Sequence, residues 1–323
     1  MVRLLAVLVL VGASVNAQTI TTQTFGNGTN QFSIDFVTIG NPGNSADTTG
    51  SPNPAGRVDY IYSLGKYEIS RDMITKANAS AGLGITMTDM SSLGGNGADR
   101  PANGISWFEA ARFVNLLNTS TGSSAAYKFD INGSFQLWSP GDVGYDTNNP
   151  FRNLLANFWL PNVHEWYKAA YGSPAGTWTD FADGSNGPPT KITSGAHGAV
   201  YGQISGDGSE TGPAAVDQAG SLSLWGTMGQ GGNVAEWMEN AFDRVNDSPD
   251  ENREVRGGTW INFSNYLSAY YADNGIPGEP VPPERPGTAT MGFRVAMVPE
   301  PSSLSLLFAG GAVFAAARRR RLD

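Results

Sequence analysis

The sequence predicts an α+β domain rich in loops, and three observations predict it. Glycine and proline are abundant, 41 and 19 of 323 residues, which implies many turns and little long helix. Only two stretches combine helical apolar spacing with a clear start signal. The strand-like stretches are short and scattered instead of alternating with helices, which argues against a doubly wound or barrel α/β plan.

In chain order, residues 18–31 are mostly Thr, Gln, Asn and Gly and read as a polar lead-in. Phe32–Ile39 alternates as a strand does, and Val58–Tyr62 alternates again after a loop dense in Gly, Asn and Pro. A short helix is expected after Ser70, carrying Met73 and Ile74. Ser106 followed by Glu109 forms a capping box. Behind it Ala110, Phe113, Val114 and Leu117 share one face, with Glu109, Arg112 and Asn115 facing outward. Asn162 and Glu165 repeat the capping logic, Val163, Trp166, Tyr167 and Ala170 form the buried stripe, and Gly172 ends the helix. Beyond it the chain is mostly loop. The ordered exceptions are 231–240 and two strand-like segments, 253–260 and 291–298. No internal repeat is visible.

Cysteine is absent, which removes disulfides, thiolate nucleophiles and Cys-type metal sites. His164 and His197 are the only imidazoles, too few for a multi-histidine centre. His164 reads as a surface or packing residue. A metal would need oxygen ligands, which favours calcium. Glu109 and Glu165 read as helix-capping residues, not as a glycosidase pair. No G-x-S-x-G elbow supports a hydrolase of that type.

The two ends read as targeting segments. Residues 1–17 place Arg3, the apolar run Leu4–Val11 and the small residues before Ala17 in the order of a secretory signal peptide. Signal peptidase is expected to cut after Ala17. At the other end, Pro299, Glu300 and Pro301 precede the apolar run Leu304–Ala317 and then Arg318, Arg319, Arg320 and Arg321. The run is short against the ~20 residues of a full membrane span. This 299–323 segment resembles the PEP-CTERM sorting signal. The resemblance implies a Gram-negative bacterium, transient inner-membrane anchoring by a short transmembrane helix, and processing by an exosortase. Release to the cell surface or medium would follow. The whole chain has a net charge of −9. Loss of both ends removes five basic residues and two acidic ones, Glu300 and Asp323, leaving −12 with histidine neutral. Such a surface repels phosphate backbones, so no nucleic-acid partner is expected.

Six motifs between the ends carry a second resemblance. They are Tyr67–Ser70, Pro101–Trp107, Leu160–Trp166, Gly232–Trp237, Arg256–Trp260 and Gly292–Arg294. In this order they resemble the formylglycine-generating-enzyme, or sulfatase-modifying-factor, domain over residues 32–298. The fold implied is the C-type-lectin-like variant of that family. Its active members oxidise a sulfatase cysteine with two copper-holding cysteines, and those positions are here Asn262 and Leu267. No copper is therefore expected.

The resemblance also implies a calcium site on the Glu236 carboxylate and the carbonyls of Gly232 and Val234. Gly229 stands where the family often has a side-chain ligand, and Asp207 is a candidate for a second site. Trp107, Trp166, Trp237 and Trp260 are expected in the core. Trp138, Trp159, Trp178 and Trp225 are candidates for either packing or a groove that binds carbohydrate or peptide. The expected function is a non-catalytic exported binding or structural module at the cell envelope. The alternative is an enzyme with cysteine-free chemistry on the same scaffold.

Overall fold

The structure is a computed structural model in which residues 19–203, 211–278 and 290–299 are described. The signal segment, Asp207 and the sorting residues from Glu300 onward lie outside them. In chain order the first elements are β1 (Ile20–Phe25), β2 (Phe32–Ile39), β3 (Tyr62–Gly65), α1 (Arg71–Ala81) and α2 (Trp107–Ser120). They are followed by β4 (Lys128–Phe129), β5 (Phe135–Gln136), β6 (Phe158–Trp159) and α3 (Val163–Tyr171). The remainder are β7 (Lys191–Ile192), β8 (Ala199–Val200), β9 (Ala235–Ala241), β10 (Arg253–Arg256), β11 (Asp273–Gly275), β12 (Met291–Gly292) and β13 (Ala296–Met297). Short strands, three α-helices and long connections make the domain α+β, as expected.

Two sheets organise the chain. The first has the order β1-β2-β3-β13-β6, with every neighbouring pair antiparallel. The second has the order β11-β10-β9-β12, with β12 parallel to β9. Segment 291–298 is not one strand but two. Met291–Gly292 joins the second sheet, Ala296–Met297 joins the first, and buried Phe293, Arg294 and Val295 run between them.

All three helices start on the caps the sequence offers. Ser70 Oγ accepts from Met73 N, and Ser106 and Asn162 form full capping boxes with Glu109 and Glu165. One expectation fails here: Glu109 does not face outward. It is buried because its Oε1 also accepts from Thr86 N and Thr86 Oγ1, which ties α2 to the loop before it.

Two further differences are local. Within the expected polar lead-in, Ile20–Phe25 pairs with β2 along its whole length. The strand expected at 58–62 begins only at Tyr62.

The core lies between α2 and the sheets. Phe113 of α2 packs against Phe32 and Phe293. Two indoles lock the helix start to β9: Trp107 Nε1 donates to Met238 O at 2.9 Å, and Trp237 Nε1 donates to Ile105 O at 2.7 Å. Each large apolar side chain buried this way contributes roughly 1.5–3 kcal/mol.

Candidate functional site

β9 is the strand from which the site is built. It follows the turn Gly232–Val234, in which Asn233 adopts φ 59°. That turn is pinned from four sides. Asn233 Oδ1 accepts from Ala214 N, its N–H donates to Val200 O, and its carbonyl accepts from Trp260 N. The Glu68 carboxylate accepts from Asn233 Nδ2 at 2.6 Å and from Val234 N at 3.1 Å. Glu68 is buried near Glu236, and both effects push its carboxyl up to about 8. Gly229 lies close by, and a Cβ there would sit 3.1 Å from the Glu68 carboxyl.

Glu236, on β9, has a full set of partners. Arg294 Nε and Nη2 each donate to one of its oxygens at 2.6 Å, and Trp166 Nε1 donates to Oε2 at 2.7 Å. The rest of the guanidinium donates to Gly65 O and Met228 O, both at 2.9 Å. Both side chains are fully buried. This donor set does not fit a calcium ion held on Glu236. The carboxylate is already neutralised by a fork-geometry cation, and an ion would have to displace it. Among the described residues no group of three or more His, Asp or Glu side chains is placed to hold a metal.

The Arg256–Trp260 turn leads from β10 to the positions where related oxidases keep their cysteines. Gly257 and Gly258 have φ 95° and 67°, and a Cβ on Gly258 would meet Leu267 Cδ1 and Tyr266 O at 3.0 Å. Only glycine suits both demands. Beyond the turn the two positions part company. Asn262 Oδ1 accepts from Thr259 N and Thr259 Oγ1, each at 2.9 Å, so its amide closes the turn. Leu267 is fully buried against Phe181 and Ala199. Neither side chain is held for reaction.

Asn262 lines a cavity of about 220 Å³, together with Thr259, Tyr271, Asp273, Thr290 and Met291. Arg256 also lines it. It is buried, donates to Glu254 Oε1 at 3.0 Å, and also donates to the carbonyls of Tyr271 and Ser51. Tyr271 OH donates to Asp273 Oδ2 at 3.0 Å. Burial and the Asp273 charge raise the phenol above its ordinary value, so it stays a neutral donor. The Tyr266 and Tyr271 rings lie 4.5 Å apart. On the same loop Phe263 is 64% exposed, and Tyr270 is exposed too. The cavity thus offers hydroxyls, an amide, one carboxylate, a guanidinium already bonded to Glu254, and the Tyr271 ring.

The four indoles open to either packing or a groove take the packing role. Trp159 and Trp225 are buried, Trp178 packs on Tyr167, and Trp138 donates to Ala126 O. Trp107, Trp166, Trp237 and Trp260 are core residues. His164 Nδ1 accepts from Gly56 N and only packs. The aromatic signal that could have located the cavity is the run Tyr266, Tyr270, Tyr271, which sits just past the Gly-Gly turn.

Comparison with known proteins agrees with this architecture. The family model for the sulfatase-modifying factor enzyme 1-like domain matches residues 41–298, and that for the PEP-CTERM protein-sorting motif matches 298–321. No curated protein matches the chain. Among solved structures, Treponema denticola variable protein 1 superposes with a TM-score of 0.57 at 18% identity, covering 86% of this chain and 99% of its own. The crystal structure of CarF gives 0.56 at 18%, covering 83% and 99%. PvdO from Pseudomonas aeruginosa gives 0.51 at 15%, covering 86% and 98%. At these identities the likeness is one of fold. The sorting motif implies processing by an exosortase and fits an exported envelope protein. Since the first family model spans most of its length, the chain belongs to the sulfatase-modifying factor enzyme 1-like domain family and carries a PEP-CTERM sorting motif at its C-terminus.

Proposed function

We propose that the protein is a non-catalytic binding module of the cell envelope, and that the cavity beside Asn262 takes a carbohydrate. The observation that carries this reading is the fate of the two oxidase positions: one side chain closes a turn and the other is buried in an apolar cluster. The copper of the oxidases the chain resembles is held by two thiolates, and this chain has no cysteine. What supports a sugar ligand is the lining: the Thr259 and Thr290 hydroxyls, the Asn262 amide and the Asp273 carboxylate around the Tyr271 ring, which packs on Tyr266. Sugars present that combination, hydroxyls in the ring plane and apolar C–H faces above it. In this reading signal peptidase removes residues 1–17. The Leu304–Ala317 run then anchors the precursor in the inner membrane of a Gram-negative cell until the exosortase acts near Pro299–Pro301.

The test is a glycan-array screen of the mature domain, followed by titration of any hit against Tyr271→Ala. Loss of the ring is expected to weaken binding at least tenfold, about 1.4 kcal/mol. Oxygen consumption with thiol peptides is expected to be absent, and turnover there would overturn the non-catalytic reading.

A further inference from the structure

The chain leaves the described fold beside a group of exposed apolar side chains. Val298 N donates to Asn157 O at 2.9 Å, which continues the β13–β6 ladder to the last residues before the sorting motif. Just upstream of Asn157, Leu154 is 62% and Leu155 53% exposed. Val143 is 80% exposed and belongs to the strap that holds this turn: Leu154 N donates to Gly144 O, and Asn153 Nδ2 donates to Val143 O. Val298 itself is 49% exposed.

The turn is well built. Asn153 Oδ1 accepts from Leu155 N at 2.9 Å, and Phe151 and Ala156 on either side are buried. Its backbone therefore fixes two consecutive leucines outward. Neighbouring exposed apolar residues of this kind cost solubility and return no packing within the fold.

The position of the tail indicates what covers them. Only five residues, Pro299 to Ser303, separate Val298 from the apolar run at Leu304. Even fully extended, they keep the start of that run within roughly 20 Å of Val298. With the run in a bilayer, the Val143–Leu154–Leu155 face, two residues along the chain from the Val298–Asn157 bond, is held near the lipid. Beside Val143, the Asp142 charge is neutralised by Lys128 at 2.7 Å.

We infer that this face is a membrane-contact surface, seated in the interfacial region of the bilayer while the sorting tail is inserted. The inference rests on the reading of the tail as an anchor. The seat orients the domain, with its C-terminal exit against the membrane where the Pro299–Pro301 segment must be presented. No basic cluster adjoins the leucines, so the contact is apolar, not an attraction to anionic headgroups.

The absence of cysteine makes the test direct. The full chain carries one introduced thiol, as Leu155→Cys or, for comparison, Ser194→Cys in the exposed β7–β8 connection. Each is labelled with an environment-sensitive fluorophore and reconstituted with phosphatidylcholine vesicles. The label at 155 is expected to shift to the blue and to be quenched by a lipid-borne nitroxide, and the label at 194 to do neither. Adding Val143→Asp and Leu154→Asp to the 155-labelled chain is expected to abolish quenching while the protein still floats with the vesicles. Flotation with the 155 label in water, or quenching that survives the two aspartates, overturns the contact surface and leaves the anchor standing. Failure to float overturns both.

Discussion

Arg294 is the residue on which the second half of the chain depends. Its guanidinium joins Glu236 of β9, Gly65 at the end of β3 and Met228 in a loop, all without access to water. A buried pair of this kind adds little net stability over an apolar one, but removing one partner is costly. Arg294→Ala strands the Glu236 charge and is expected to destabilise the fold by about 3–5 kcal/mol, read by urea denaturation. Arg294→Lys keeps the charge without the fork and is expected to fall between the two. The motif containing Arg294 was legible in the sequence, and so was Glu236, but their partnership was not. They lie 58 residues apart, and no local pattern reports a contact at that separation. The sequence leaves Glu236 open between a calcium ligand and a hydrogen-bond partner of the turn's backbone, and the structure pairs it with Arg294 instead of the turn.

At the scale of elements, the sequence spoke clearly where a period exists. α2 and α3 were legible from cap to end, because a capping box and a 3.6-residue stripe both lie within one segment. β6, β12 and β13 have two residues each and no period to read, and their neighbours alone make them strands. β1 was hidden by its composition. One face is open to water, so its Thr22 and Thr24 pair with Asp35 and Ser33 through hydroxyls and not through apolar contacts.

The turn that leads into β9 yields a pH prediction. Glu68 holds that turn with a carboxyl raised from 4.5 to about 8. Below pH 4.5 both folded and unfolded states keep this proton. Between 4.5 and about 8 the unfolded state has released it and the folded state has not, so stability falls as pH rises. Tm measured at pH 5 and pH 8 should therefore drop more for the wild type than for Glu68→Gln. Equal drops would show that Glu68 does not carry this dependence.

At the scale of the molecule, buried arginine stands where loop-rich domains often use disulfides or metals. Arg253 is fully buried, with its guanidinium 4.0 Å from the Phe151 ring centroid and 4.6 Å from that of Trp107. Arg256 and Arg294 are buried as completely. Arg256 and Arg294 cross-link segments distant in sequence through backbone carbonyls, whereas Arg253 bonds the nearby carbonyls of Pro249 and Glu251 and reaches distant segments through its ring contacts. The expected consequence is a Tm that a calcium chelator leaves unchanged, and a fall of several degrees would reveal a structural ion. The cavity beside Asn262 was the least legible part of the whole. Its lining comes from β9, β10, the loop after the Gly-Gly turn, β11 and the residues around β12, which meet only once both faces of the second sheet are in place.

The position of β13 also sets the order of events during synthesis. It lies between β3 and β6, and the arginine that neutralises Glu236 comes two residues before it. Until residue 297 is available, the first sheet is split in two and the second keeps an unbalanced carboxylate in its interior. The domain therefore cannot close early. A chain emerging from its N-terminus can complete both sheets only after residue 297 has been made. Folding that waits for the last strand of a domain is compatible with the passage of an open chain through an export channel.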